Sequence, residues 1–215
     1  MTTEKPLRAD AERNRRRILE AAAELFATKG LSVGLDEIAH HAGVGVGTAY
    51  RRFPDKRRLI EELFEDRVAR LVELAEEALA ADDAWEGLAG FLERATEDQI
   101  ANRGLKEIVF GGDQGTELAK DARARVAPLI DRLVRRAQAS GSLRSDVVAS
   151  DVPLLQFIVS SVAELTGPNA PELWRRYLAL VLDGLRTPDP HPLPQLGLSL
   201  DELDAAGRKA RVRSS

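Results

Sequence analysis

Residues 35–56 read LDEIAHHAGVGVGTAYRRFPDK, and this stretch decides the fold. It predicts two short helices, Leu35–His41 and about Gly45–Arg52, with Gly34 capping the first. Ala39 is small enough to let the pair pack closely. Gly43, four residues later, can take the left-handed conformation that a sharp turn demands. Ile38, Ala42, Val44, Ala49 and Phe53 supply a compact core for the two helices. A three-residue turn under these constraints makes a rigid bracket, and such a bracket can seat its second helix in the major groove of DNA.

The second helix is suited to that placement. Gly45, Val46 and Gly47 have small side chains that permit close approach to a duplex. Thr48 offers a hydroxyl for phosphate and a methyl for thymine, and Tyr50 offers a rigid phenol for a phosphate oxygen. Arg51 and Arg52 add cationic forks. Lys56 follows at the start of the next helix, where free amides and the positive dipole end also favour phosphate.

Outward from this segment the chain reads as helix nearly throughout. Towards the N-terminus a helix is expected from Asp10, as its cap, to Thr28. Its buried stripe is Ile18, Leu19, Ala22, Leu25 and Phe26, and Gly30 is placed to end it. Pro54-Asp55 starts a long helix from Lys56 to about Ala81, whose buried face is Leu59, Leu63, Phe64, Val68, Leu71 and Leu74. Asp82-Asp83 reads as a joint before a helix over 85–101. The glycine-rich patch around Gly111-Gly112 precedes a helix over 117–139, interrupted by Pro128 and ended by Gly141. Two further helices are expected over 150–166 and 170–186, with Pro153 and Pro171 in first turns that tolerate them. Beyond Thr187 the alternating Pro188, Pro190, Pro192 and Pro194 favour an extended, draped or mobile tail with a basic end.

The remaining evidence from composition is mostly exclusion. There is no cysteine, so disulfides, thiolate nucleophiles and cysteine zinc sites are ruled out. Met1–Arg17 is polar and charged, no stretch approaches the roughly 18 apolar residues of a membrane span, and a cytoplasmic protein without a membrane partner is expected. His40 and His41 are adjacent, so a helix turns them about 100° apart and they suit a metal poorly. No nucleophile set or phosphate loop is present, and neither catalysis, metal nor cofactor is expected. Charge is uneven: residues 1–58 carry 12 Lys+Arg against 8 Asp+Glu, the rest 19 against 27. A basic head on an acidic body suits a protein that presents one end to a polyanion.

Arg17-Ile-Leu-Glu-Ala-Ala-Ala-Glu-Leu-Phe26, Gly30, Ile38-Ala39, Ala42-Gly43-Val44, Gly47-Thr-Ala-Tyr50 and Phe53-Pro-Asp-Lys56 together resemble the TetR/AcrR family of one-component regulators. The resemblance covers about residues 14–64. It implies that Tyr50 and Lys56 contact phosphates, and that positions 45–48 with Arg51 form the base-reading and phosphate-contacting surface. Gly34 stands where the family usually has Thr or Ser, and Asp36 brings an acid near a position where it often has Arg. The body resembles the family more weakly, through its long helices, the Gly141–Arg144 turn and Asp183–Arg186.

The expected architecture is all-α: a three-helix helix-turn-helix head (1–58) joined by a long helix to a helical effector-binding and dimerisation body (59–186), then the tail (187–215). In the family the last two large helices pair in a four-helix dimer interface, here offered by Leu155, Val159, Val162, Leu173, Tyr177, Leu180 and Val181. About 130 residues of helix exceed what a dimer clamp needs, so a sensing body is expected, with Trp85, Leu88, Phe91, Phe110, Phe157 and Trp174 as pocket candidates. The expected function is a homodimeric repressor on a pseudo-palindromic double-stranded operator, released by a small-molecule effector. The alternative is an effector-independent dimeric DNA-binding protein.

Overall fold

The computed structural model describes residues 4–101, 113–186, 191–199 and 202, with the side chains of 4–9, 113–117 and 119 excepted. Its helices are α1 (Glu4–Lys29), α2 (Leu35–His41), α3 (Val46–Arg52), α4 (Lys56–Ala80), α5 (Ala84–Ala101), α6 (Asp113–Ala139), α7 (Asp151–Thr166) and α8 (Leu173–Leu185). Single 3-10 turns follow α1 (Gly30–Ser32) and α7 (Gly167–Asn169). No strand occurs among the described residues. Nor is any described helix long and apolar enough to cross a membrane.

The chain divides into two compact units, and the division falls inside α4, between Arg67 and Val68. The first holds α1–α3, α4 up to Arg67 and the start of α6. The second holds the rest of α4 and of α6 with α5, α7 and α8.

In the head, Ile18, Ala22 and Phe26 of α1 meet the fully buried Ile38, Ala39, Ala49, Phe53 and Leu59. Ile18, Ala22 and Phe26, like Ala49 and Phe53, are spaced four residues apart and so face one way, which is why a chain of short helices can enclose a core at all. α1 begins at Glu4, well before Asp10. Asp10 is therefore not a cap, and its carboxylate pairs instead with Arg13 one turn on. Asp55 does cap α4, accepting the Arg58 amide at 2.8 Å.

In the body, α5 buries Trp85, Leu88, Phe91, Leu92 and Ala95. α6 contributes Val126, Ile130, Leu133, Val134 and Ala137. α6 runs through Pro128 without interruption. The proline ring is exposed, and the buried stripe on either side holds the helix on course across the one hydrogen bond that proline removes. Asp83 caps α5 by accepting the amides of Trp85 (2.8 Å) and Glu86 (2.9 Å), bonds that hold its carboxyl below the usual range, the Glu86 one most. The guanidinium of Arg136 on α6 donates to the carbonyls of Ala78, Leu79, Ala81 and Asp82. Ala78 and Leu79 belong to the last turn of α4 and Ala81 and Asp82 lie just past its end; the Ala78 oxygen also accepts the Ala81 amide at 3.4 Å.

α7 and α8 expose much of their apolar surface. Leu154, Phe157, Ile158 and Leu165 follow one face of α7, and Tyr177 and Leu180 one face of α8. Of the seven residues expected at a dimer interface, Val159 is core, while Leu155, Val162, Leu173 and Val181 are half-buried. α8 begins at Leu173 rather than Ala170, so Pro171 precedes it. Residues 191–199 lie over the α6–α7 connection. Arg144 donates to the His191 carbonyl at 2.6 Å, Leu193 donates its amide to Asp146 at 3.1 Å, and Ser150 donates to the Leu198 carbonyl.

Candidate nucleic-acid interface

The turn between α2 and α3 is closed by backbone bonds alone: Ala42 to Ile38 (2.9 Å), Gly43 to His40 (3.1 Å) and Val44 to Ala39 (3.0 Å). Gly43 sits at φ +62°, where a side chain is strained. Gly45 then caps α3 and accepts the amides of Thr48 (2.8 Å) and Ala49 (3.1 Å). α3 is thus backed by the buried Ala49 and Phe53, and its opposite face is free to meet a ligand.

That face carries the residues the sequence singles out. Val46 and Tyr50, one turn apart, are 44 % and 46 % exposed. Gly45 and Gly47 are exposed beside them, and a Cβ at Gly47 would meet nothing within 4 Å. Arg51 donates to Thr48 Oγ1 at 3.1 Å, which aligns the guanidinium along the helix and leaves the threonine hydroxyl its own proton to give. Asp36 on α2 accepts a hydrogen bond from the Tyr50 phenol and raises its pKa above the ordinary value; the phenol's single proton is thereby committed to Asp36 and must turn away from it to meet a phosphate.

Two of the expected contacts are more constrained. Arg52 lies 3.8 Å from Glu62 and stacks over Phe53, so part of its charge is already answered. Lys56 is half-buried, donating to the Leu31 carbonyl with its ammonium 5.7 Å from the centre of the Phe26 ring. An ammonium has three protons, so the Lys56 head is fixed in place with donors to spare. Arg17 was not singled out from the sequence as a contact residue, yet its guanidinium lies against Gly43, 2.7 Å from where a Cβ would stand. The run Arg15-Arg16-Arg17 was the available signal, but only the fold carries one of the three to the turn.

The pocket candidates are dispersed. Leu88, Phe91 and Trp174 are buried in the body, Phe157 is 46 % exposed on α7, and Phe110 lies outside the described residues. Trp85 alone lines a shallow cavity of about 360 Å³ between α5 and α8, with Glu86, Glu93, Leu182, Asp183 and Arg186. Both tryptophans are faced by the protein's own cations: Arg186 lies 5.3 Å from Trp85, and Arg175 lies 4.4 Å from Trp174. Among the described residues no group of three or more acidic or histidine side chains is arranged to hold a metal.

Comparison with known proteins agrees with this geometry. Residues 18–63 match the profile of bacterial regulatory proteins of the tetR family. Residues 83–187 match that of the SbtR-like transcriptional regulator C-terminal domain. A TetR transcription regulatory protein of Mycobacterium vanbaalenii is 37 % identical, with 85 % of this chain and 100 % of that one aligned at a TM-score of 0.63. A TetR transcriptional regulator of Streptomyces coelicolor is 32 % identical, over 81 % and 99 % of the two chains, also at 0.63. An HTH-type transcriptional regulator of Staphylococcus aureus is 44 % identical over 54 residues, which are 25 % of this chain and 29 % of that protein's own length. With both units matched and two homologous structures covered almost end to end, the chain belongs to the TetR family of DNA-binding bacterial transcription regulators, not to a family of enzymes.

Proposed function

We propose that the protein is a homodimeric repressor that reads a pseudo-palindromic operator through α3 and leaves it when a small-molecule effector enters the body. The observation that carries this reading is the outward face of α3: Val46, Gly47, Tyr50 and Arg51 exposed on a helix whose other side is fully buried. Side chains held on so rigid a backing meet base edges and phosphates without first being ordered. Gly45, Thr48, Arg52 and Lys56 complete the contact set, with Tyr50 and Lys56 assigned to phosphates.

Dimerisation is supported by the apolar faces of α7 and α8. Leu154, Phe157 and Ile158 on α7 and Tyr177 and Leu180 on α8 are large apolar side chains left exposed, the kind of surface a second chain would cover. A two-fold axis then presents two recognition helices about 34 Å apart, one turn of DNA. Response to an effector is supported by α4, whose 25 residues make a stiff rod about 38 Å long that runs from the head into the body. A ligand that favours one setting of that rod changes the spacing of the two heads. Linkage requires operator to weaken ligand binding by the same factor, typically through a coupling of about 1–3 kcal/mol. Such a regulator works where the chromosome is, in the cytoplasm.

Selection of binding sites from random duplexes, followed by footprinting and sedimentation of the complex, tests the reading. Two protected half-sites one turn apart, bound by two chains, are expected. A single unrepeated half-site bound by one chain overturns it.

A further inference from the structure

The body holds a second polar feature, away from the cavity beside Trp85, in the interface between α5 and α7. Gln99 on α5 donates to Ser160 on α7 at 3.0 Å. Arg175 near the start of α8 pairs with Glu93 and Glu97, while Arg186 just past its end covers Trp85, so α8 runs antiparallel to α5. α7 and α8 are joined by six residues and reverse on each other, which makes α7 parallel to α5. One turn before Gln99 on α5 is Thr96, and one turn before Ser160 on α7 is Gln156. The two therefore stand at the same level of the interface.

Both are deeply buried, Thr96 at 0 % exposure and Gln156 at 8 %. Among the described residues, neither Thr96 Oγ1 nor Gln156 Nε2 has a hydrogen-bond partner. A buried helical hydroxyl usually returns its proton to the preceding turn, as Ser160 does to Phe157 and Thr166 to Val162; Thr96 does not. Isosteric Val and Leu would fill the same space without this cost in stability, so two orphaned groups at one level call for a partner. Their neighbours along the two helices, Leu92, Ala95, Val152 and Val159, are apolar. The polar residues buried as a whole among the described ones are Thr96, Ser150, Gln156 and Ser160, none of them charged; the Asp98 carboxylate, with one buried oxygen, stands two residues beyond Thr96 on α5 and so about 200° around the helix, on another face. A charged ligand would find no counter-ion there.

We propose that Thr96 and Gln156 form the hydrogen-bonding end of a ligand site between α5 and α7, and that its ligand is a neutral molecule with an apolar body and an acceptor oxygen, such as a ketone or ester. Gln156 Nε2 donates to that oxygen, and Thr96 donates or accepts beside it. The ligand enters by parting the two helices at this level. The proposal rests on the ligand-responsive reading above and gives that ligand a chemical class.

The test uses the full-length chain, 15N-labelled, titrated with 2-octanone, octanoate and 1-aminooctane, and repeated with Thr96→Val and Gln156→Leu. Saturable binding of 2-octanone is expected, with displaced Gln156 side-chain amide resonances and affinity at least ~10-fold above either ion. Each variant should weaken ketone binding by about 10-fold while raising the melting temperature by about 2–4 °C. Absent ketone binding, ketone binding unaltered in both variants, or tighter binding of octanoate overturns the proposal. So does a lowered melting temperature in both variants, which would mean that the two groups hold structural bonds. Ketone bound through Gln156 with operator affinity unchanged supports the site and sinks the ligand-responsive reading instead.

Discussion

Arg15 Nε lies 2.8 Å from Glu62 Oε2, tying the first helix of the head to the fourth through two side chains only 21 % and 19 % exposed. The same carboxylate faces Arg52 at 3.8 Å, so one acid serves both the scaffold and a residue of the proposed DNA-contact set. Glu62→Gln should lower the head's stability by about 1 kcal/mol, because a charge-assisted bond becomes a neutral one. It should also raise affinity for random duplexes about threefold at low salt, by releasing Arg52 and removing a negative charge nearby. Urea unfolding and fluorescence anisotropy measure the two effects. Stability lost with no change in DNA affinity would remove Arg52 from the interface.

Lys56 is anchored between the Leu31 carbonyl and the Phe26 ring, which places its charge with little freedom. Lys56→Ala should weaken binding to every duplex alike and reduce the slope of log K against log salt by about one. Tyr50→Phe should weaken binding without altering that slope, since a phenol releases no counter-ion. Titrations at four salt concentrations distinguish the two. An unaltered slope for Lys56→Ala would mean that the lysine is purely structural.

Gly43→Ala puts a side chain at φ +62° and should cost about 1–2 kcal/mol. The added methyl also meets the end of Arg17, a flexible group that can yield. Adding Arg17→Ala should therefore restore little stability to Gly43→Ala. Full recovery in the double variant would show that the contact, and not the backbone, is the source of the strain.

The end of α4 is gripped from two sides. Arg136 satisfies its terminal carbonyls, and a Cβ at Gly87 would stand 2.4 Å from the Ala78 carbonyl oxygen. Arg136→Met keeps the aliphatic stem but removes the guanidinium's bonds to those oxygens, and should destabilise the body by about 2 kcal/mol. Gly87→Ala should cost about 2 kcal/mol or more, since a backbone oxygen cannot step aside. Hydrogen exchange at α4's last turn reads both. Full protection there in Arg136→Met would refute the grip.

The Arg144 guanidinium, bonded to Asp146, holds that carboxyl down at about 2 from an unfolded value of 3.8, and the Leu193 amide assists. A carboxyl depressed by folding contributes stability above its unfolded pKa and loses it as pH falls through the folded one. The tail's hold over the α6–α7 connection should thus be complete above about pH 4 and fade towards pH 2. Asp146→Asn should be less stable than the parent at pH 6, and the difference should vanish near pH 2. A difference constant with pH would break the link between this pair and acid sensitivity.

The head was legible from residue types because its geometry is local. Gly43 at a forced positive φ, small Ala39 and Ala49 at the crossing, and Asp55 before α4 each impose a conformation within a few residues of themselves. The outward face of α3 follows by subtraction, since whatever is not Ala49 or Phe53 must point away. The body was less legible. Val159 and Phe157 are two residues apart on one apolar helix, yet one is core and the other exposed. Hydrophobicity says that a side chain seeks burial, but not in which of two interfaces.

What the order of residues dictated, then, is what a single helical turn or a tight corner can enforce: the helices, the Asp55 cap, the bracket and its exposed face. Long-range packing alone settled where charges and polar groups ended up. It drew Arg52 to Glu62, laid Arg17 on the turn, carried α6 through Pro128, brought Arg136 to the end of α4, and set Thr96 level with Gln156. These outcomes depend on the register between helices far apart in the chain, and register is chosen by the sum of many side-chain contacts rather than by any one residue.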